Sequence, residues 1–204
     1  LIRILLIPLV IFFYLADFIP YGKLVAFLLF VIAACTDFLD GKIARKRNLV
    51  TDLGKLLDPI ADKCLIMASL ILVISWPING GLPILASNPN YAGVIGIVGA
   101  IIILAREFIV SALRMIAATK NYVMMADKLG KIKATFQDIS IAGYILYAFL
   151  VTEFTLSSTL NAVFALTLLV LFGITVILTI VSGVNYFVKN KALLKSKKEV
   201  KKED

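Results

Sequence analysis

Asp37 with Asp40, and Asp58 with Asp62, are two pairs of carboxylates in a chain that is otherwise strongly apolar. Residues three or four apart in an α-helix project from the same side, so each pair presents two carboxylates in one direction. Two such faces brought together make a cage of oxygen ligands, a donor set that favours Mg²⁺ or Mn²⁺ over zinc. Four carboxylates at close quarters repel one another and are costly near a membrane, and a bound cation is the simplest way to keep them all ionised. Four such ligands can hold two metal ions about 3.5–4 Å apart, which stabilises charge on the attacking and leaving oxygens of a phosphoryl transfer. Arg45, Lys46 and Arg47 follow directly and fit an anionic substrate.

The elements that must position these groups are membrane helices. The chain has 204 residues, 61% of them hydrophobic, well above the roughly 45–50% of a soluble domain. Six apolar stretches stand out, at about 1–17, 23–40, 54–77, 92–118, 134–152 and 160–188, most of them near the roughly 20 residues that cross a bilayer core. The expected fold is therefore an all-α integral membrane protein of six transmembrane helices, with residues 1–188 as a membrane catalytic domain and 189–204 as a basic cytoplasmic tail. No small-residue cleavage site follows the first stretch before Asp17 and Pro20, so it reads as a retained helix and not a signal peptide. The start at Leu1 points to a natural N-terminus lying further upstream.

Charge sets the orientation. With a cytoplasmic N-terminus, the outside loops fall near 18–22, 78–91 and 153–159, and none of them contains Lys or Arg. Of the basic residues only Lys23 lies close to these loops, as the positive-inside rule expects, which places both termini in the cytoplasm of a multi-pass plasma-membrane protein. The net charge of +8 follows this topology and the lysine-rich tail, which suits anionic membrane lipids, and no nucleic acid is implied. Cys35 and Cys64 read as small buried apolar residues and give no disulfide framework. Histidine is absent, which excludes histidine nucleophiles and leaves acid–base work to carboxylates, Lys or Tyr.

The aspartates belong to one longer pattern, D-x2-D-G-x2-A-R-x8-G-x3-D-x3-D, filled at every fixed position by Asp37, Asp40, Gly41, Ala44, Arg45, Gly54, Asp58 and Asp62. It reads as a helix, a basic loop and a second helix that bring the four carboxylates to one depth. The pattern resembles the signature of the CDP-alcohol phosphotransferase family, and the six-helix layout extends the resemblance over the whole chain. The resemblance implies a homodimer that moves a phosphatidyl or related phosphoryl group from a CDP-linked donor to an alcohol and releases CMP. It implies Asp37, Asp40 and Asp58 as ligands of Mg²⁺ or Mn²⁺, with Asp62 as the base that also touches a metal. Gly41, Ala44 and Gly54 would line the cytidine and diphosphate site, and Arg45 would contact the donor phosphates.

Two further segments bear on the alcohol. Arg106 and Glu107, in Arg106-Glu107-Phe-Ile-Val-Ser111-Ala-Leu-Arg114, lie inside an apolar span, where an ionisable residue is a functional candidate by default. Lys131 and Lys133, in Gly130-Lys131-Ile-Lys133-Ala134-Thr135-Phe-Gln137, stand at the mouth of the fifth span. Arg106, Lys131 and Lys133 can form a cationic pocket for a second phosphate. Alternatively, Arg106 and Glu107 are a mutual ion pair that fixes packing, and the two lysines are interface anchors. Both segments resemble the bacterial branch of the family that makes phosphatidylglycerophosphate, apart from Ala134 where that branch has Thr. That resemblance implies CDP-diacylglycerol as donor and sn-glycerol 3-phosphate as acceptor. Inositol phosphate, serine and phosphatidylglycerol stay open as acceptors, and a divalent-cation transporter or a non-catalytic lipid-binding scaffold as the other classes.

Overall fold

The structure is a computed structural model, and it describes residues 2–47, 63–72, 89–119 and 128–190. Among these, every regular element is helical: α1 (Ile2–Leu15), α2 (Gly22–Arg47), α3 (Lys63–Leu72), α4 (Pro89–Thr119), α5 (Lys128–Glu153) and α6 (Ser158–Lys189). Their order matches the six apolar stretches. Val94–Ala117, Leu129–Glu153 and Ser158–Lys189 are long and apolar enough to cross a membrane, while Leu5–Leu15, Gly22–Thr36 and Lys63–Leu72 are apolar but shorter. The chain is an α-helical membrane protein. The tail beyond Asn190 lies outside the described residues.

α1 and α2 form a hairpin whose turn depends on a close approach of backbones. The Gly22 amide donates to the Ile19 carbonyl at 3.1 Å, and a Cβ on Gly22 would come within 2.7 Å of the Phe13 carbonyl oxygen. No side chain fits there without moving backbone. Tyr21 just before it adopts φ 60°, which few non-glycine residues take up. Lys23 donates to Asp17 across the same turn at 2.8 Å, and that hydrogen bond, with the lysine's charge, holds Asp17 below the usual carboxylate range. Ser157 caps α6 by accepting from the Leu160 amide, and Asn190 closes it by donating to the Tyr186 carbonyl.

α1 packs on α2, α2 on α5, α5 on α6 and α6 on α4, with α3 joining the core through Leu65, Leu70 and Leu72. Small residues allow the close contacts, as expected where lipid weakens any hydrophobic drive between helices. Ala26 and Ala33 of α2, Ala100 of α4 and Ala148 of α5 are all buried. Gly99 is the tightest such point, because a Cβ there would lie 2.5 Å from the Phe172 ring, itself edge-on to Tyr144. Replacing Gly99 by Val is expected to cost about 1–3 kcal/mol by overpacking. At about 2–4 °C per kcal/mol, the melting temperature of the purified protein should fall by several degrees, and an unchanged value would argue against this α4–α6 contact.

Large apolar residues such as Ile101, Phe108, Ile177 and Val184 are exposed along the outer faces of α4 and α6, where acyl chains replace protein as the apolar neighbour. Two expectations are corrected. Cys35 and Cys64 are exposed on their helices rather than buried. The expected loop after Asp40 is helical at its start, since α2 runs on through Gly41 to Arg47. The stretch from Lys42 to Arg47 is made almost wholly of good helix formers, and a single glycine costs only about 1 kcal/mol.

Candidate active site

The continuous α2 places Asp37, Asp40, Gly41, Ala44 and Arg45 on one helix, with Asp37 and Asp40, and Gly41 and Ala44, three residues apart, and Asp37 and Gly41, and Asp40 and Ala44, four apart. Side chains from Asp37 to the end of α2 lie outside the described residues, as do Gly54, Asp58 and Asp62 altogether. The fit to a divalent cation therefore rests on the unbroken helical register of Asp37 and Asp40 and on the chemistry of an all-carboxylate set. Both suit Mg²⁺ or Mn²⁺.

The second constellation is seen in atomic detail. Glu107, 8% exposed on α4, is the centre of an ion cluster. Its Oε1 accepts from Lys133 Nζ at 2.5 Å and from Arg106 Nη1 at 2.9 Å, while its Oε2 accepts from Lys63 Nζ at 2.5 Å. Arg106 Nη2 donates to Ser182 Oγ of α6 at 2.6 Å. Three cations from α3, α4 and α5 thus share one carboxylate. Lys133 is only 1% exposed. A buried cation is retained only where paired anions or a bound ligand offset its desolvation.

Glycines make room for the guanidinium. A Cβ on Gly183 would meet Arg106 Cγ at 3.3 Å, and one on Gly130 would meet Arg106 Nη2 at 3.5 Å. Arg106 therefore lies between α5 and α6 where both helices lack side-chain bulk. Two turns along α4, Arg114 donates to the Tyr186 hydroxyl at 3.3 Å and lies 5.8 Å from its ring centroid.

Of the expected pocket, Arg106 and Lys133 are brought together, and Lys131 is not. Two residues along a helix is a rotation of about 200°, and Lys131 is exposed while Lys133 is buried. The open choice between a packing ion pair and a phosphate pocket becomes a larger cluster in which Glu107 pairs with Arg106 and with two lysines. Lys63 and Ser182 are the members that the sequence did not disclose. A lysine within an apolar stretch reads as an interface anchor, and a serine inside a span reads as a small packing residue. The one available signal was that Lys63 directly follows Asp62.

A relative from Bacillus subtilis (strain 168), CDP-diacylglycerol–glycerol-3-phosphate 3-phosphatidyltransferase, is 37% identical over 205 residues, covering 95% of this chain and 93% of its own length. A protein of the same name from Rickettsia bellii (strain RML369-C) is 35% identical over 194 residues, covering 91% of this chain and 88% of its own. An Arabidopsis thaliana protein whose name differs only by a final 2 is 36% identical over 129 residues, or 59% of this chain. Residues 1–181, from the first helix through most of α6 and so through both the aspartate pattern and Glu107, match one family description. The chain belongs to the CDP-alcohol phosphatidyltransferase family.

Proposed function

We propose that this protein transfers the phosphatidyl group of CDP-diacylglycerol to sn-glycerol 3-phosphate, giving phosphatidylglycerophosphate and CMP for phospholipid synthesis. The observation that carries the choice of acceptor is the convergence of three cations, Arg106, Lys133 and Lys63, on Glu107 in an apolar helical bundle. A phosphate monoester carries about −1.5 to −2 at neutral pH, so an acceptor that is itself a phosphate ester suits a cluster of three cations. Serine or a neutral polyol does not. The full-length relatives named for this reaction point the same way.

In this reading Arg106, Lys133 and Lys63 grip the acceptor phosphate, and Glu107 holds them in position without touching the substrate. Lys131, exposed on α5, draws the anion toward the pocket. Gly41, Ala44 and Gly54 line the cytidine and diphosphate, and Arg45 braces the donor phosphates. Asp37, Asp40 and Asp58, with an oxygen of Asp62, would hold the Mg²⁺ or Mn²⁺ on which this family generally depends, two ions in all; the metal supplies charge stabilisation to the diphosphate. Asp62 takes the proton from the acceptor's free primary hydroxyl. That oxygen attacks the lipid-bearing phosphorus, the bond from this phosphorus to the CMP oxygen breaks, and the phosphatidyl group passes to the acceptor. Positioning and charge complementarity therefore account for most of the catalysis. All six helices span the plasma membrane of a bacterial cell, the protein is a homodimer, and the site and both termini face the cytoplasm.

Replacing Arg106 or Lys133 by Ala should raise KM for glycerol 3-phosphate about 10–100-fold, the equivalent of one charged hydrogen bond at about 1.5–3 kcal/mol. KM for CDP-diacylglycerol should change far less. The opposite pattern in steady-state kinetics would move these residues out of the acceptor pocket. Excess EDTA should stop CMP release, and added Mg²⁺ or Mn²⁺ should restore it. Turnover that survives the chelator would contradict the metal assignment. The acceptor is tested with purified protein, CDP-diacylglycerol and a panel of glycerol 3-phosphate, inositol phosphate, serine and phosphatidylglycerol. CMP release is expected with the first alone, and release with another acceptor but not with it would overturn the reading.

A further inference from the structure

Arg114 stands on the inward face of α4, and the chemistry assigned so far makes no use of it. Ile103, Glu107, Val110 and Ala117 recur with it at three- and four-residue steps, the spacing of one helix face, and all four are buried. Arg114 is the exposed member of this stripe. An opening in the bundle therefore lies at its level, two turns along from Glu107.

The side chain also leans toward the cation cluster. Gly99 meets Phe172, Arg106 meets Ser182 and Arg114 meets Tyr186, so α4 and α6 run side by side in the same direction. Arg106 and Arg114 are about 12 Å apart along α4, whereas the hydroxyls they reach belong to residues only about 6 Å apart along α6. Tyr186, tilted like other helical side chains toward the N-terminal end of its helix, brings its hydroxyl closer still to the level of Ser182. Arg114 thus reaches back along α4 toward Arg106. A cation that merely anchors a helix in lipid headgroups extends the other way, toward the nearer helix end.

Tyr186 fixes the guanidinium without occupying its outer edge. Arg114 Nε donates to the Tyr186 hydroxyl at 3.3 Å, and the guanidinium carbon lies 5.8 Å from the centre of that buried ring. Neither Nη1 nor Nη2 has a hydrogen-bond partner among the described residues. Arg106, Lys133 and Lys63, by contrast, already donate to Glu107. Two N–H groups on one fixed plane match two oxygens of a phosphate.

We propose that Arg114, held by Tyr186, is a further substrate-binding residue, whose Nη1 and Nη2 take the acceptor phosphate in a two-pronged contact at the open end of the pocket lined by Arg106, Lys133 and Lys63. This role rests on the acceptor being glycerol 3-phosphate.

Steady-state kinetics of CMP release by wild type, Arg114→Lys and Tyr186→Phe test it. Lysine keeps the charge and loses the fork, so Arg114→Lys should raise KM for glycerol 3-phosphate about 10-fold while KM for CDP-diacylglycerol stays within about twofold. Tyr186→Phe keeps the ring and removes the hydroxyl, and should raise the acceptor KM about 2–5-fold. An unchanged acceptor KM in Arg114→Lys reduces Arg114 to a charged anchor and overturns the proposal. A rise confined to the donor KM overturns it too, by giving the fork to a lipid phosphate. If Arg114→Lys does not fold, Tyr186→Phe decides, and an unchanged acceptor KM there is the contrary result. A wild type whose CMP release ignores glycerol 3-phosphate overturns the acceptor reading and this role together, whereas a wild type that uses it no better than Arg114→Lys overturns this role alone.

Discussion

Asp62→Asn lowers turnover by about 10²–10⁴-fold, the usual contribution of a positioned general base, while CDP-diacylglycerol still binds. The substitution keeps the size and shape of the side chain and removes its basicity, so the acceptor hydroxyl keeps its proton and becomes a poor nucleophile. Asp62 precedes Lys63, whose ammonium sits on Glu107, so the proposed base and the proposed phosphate grip are neighbours in the chain. An acceptor held by its phosphate at one residue would meet a base at the next. CMP release under saturating substrates, measured beside equilibrium binding of the donor, separates the two effects. Near-normal turnover removes Asp62 as the base, and loss of donor binding together with turnover would make Asp62 chiefly a metal ligand.

Glu107→Ala is expected to be the most destabilising substitution among the described residues, at about 3–5 kcal/mol, the usual cost of breaking a buried ion pair from one side. Alanine leaves Arg106, Lys133 and Lys63, now without the carboxylate that each contacts within 2.9 Å, facing one another at the junction of α3, α4 and α5. Total stabilities are often only about 5–15 kcal/mol, and the melting temperature should fall by roughly 10 °C or more. If the three cations grip a phosphate, inorganic phosphate should partly stand in for the missing carboxylate and recover stability in Glu107→Ala. It should stabilise the wild type much less. An unchanged melting temperature would contradict the central role of Glu107, and equal effects of phosphate on both proteins would contradict the shared anion site.

The apolar helices and the Arg106–Glu107 pair were legible in the sequence, because each is an exception to a strong background. A charge inside an oily helix, or a set of four aspartates at fixed spacing beside the bilayer, costs too much to persist without a ligand or an ionic partner. The cluster was harder to read. Glu107 draws on Lys63 and Lys133, 44 and 26 residues away, and Arg106 on Ser182, 76 residues away, and no local pattern predicts which spans will meet. Lys131 and Lys133 looked equivalent as a pair of basic residues, and only the helical register of α5 separates the buried one from the exposed one. The continuation of α2 past Asp40 was missed for a related reason. A glycine before a basic run reads as the start of a loop, yet the run itself favours helix.

The cysteines show the limit of rules drawn from soluble proteins. Free cysteine is ordinarily a buried residue, but in a membrane bundle the outer surface is apolar too, so a small apolar side chain gains little by facing inward. Cys35 and Cys64 accordingly lie exposed. The same reversal explains the many exposed Ile, Val and Phe residues of α4 and α6.

The central claim is that the acceptor oxygen attacks the lipid-bearing phosphorus of the donor and that glycerol 3-phosphate supplies that oxygen. Incubating the purified protein with CDP-diacylglycerol carrying a radioactive label only at that phosphorus, with and without glycerol 3-phosphate, tests it most directly. The account predicts that the label stays with the lipid as phosphatidylglycerophosphate while unlabelled CMP appears in equal amount, and that both depend on the acceptor. Label in a water-soluble nucleotide, or CMP release indifferent to glycerol 3-phosphate, would contradict it.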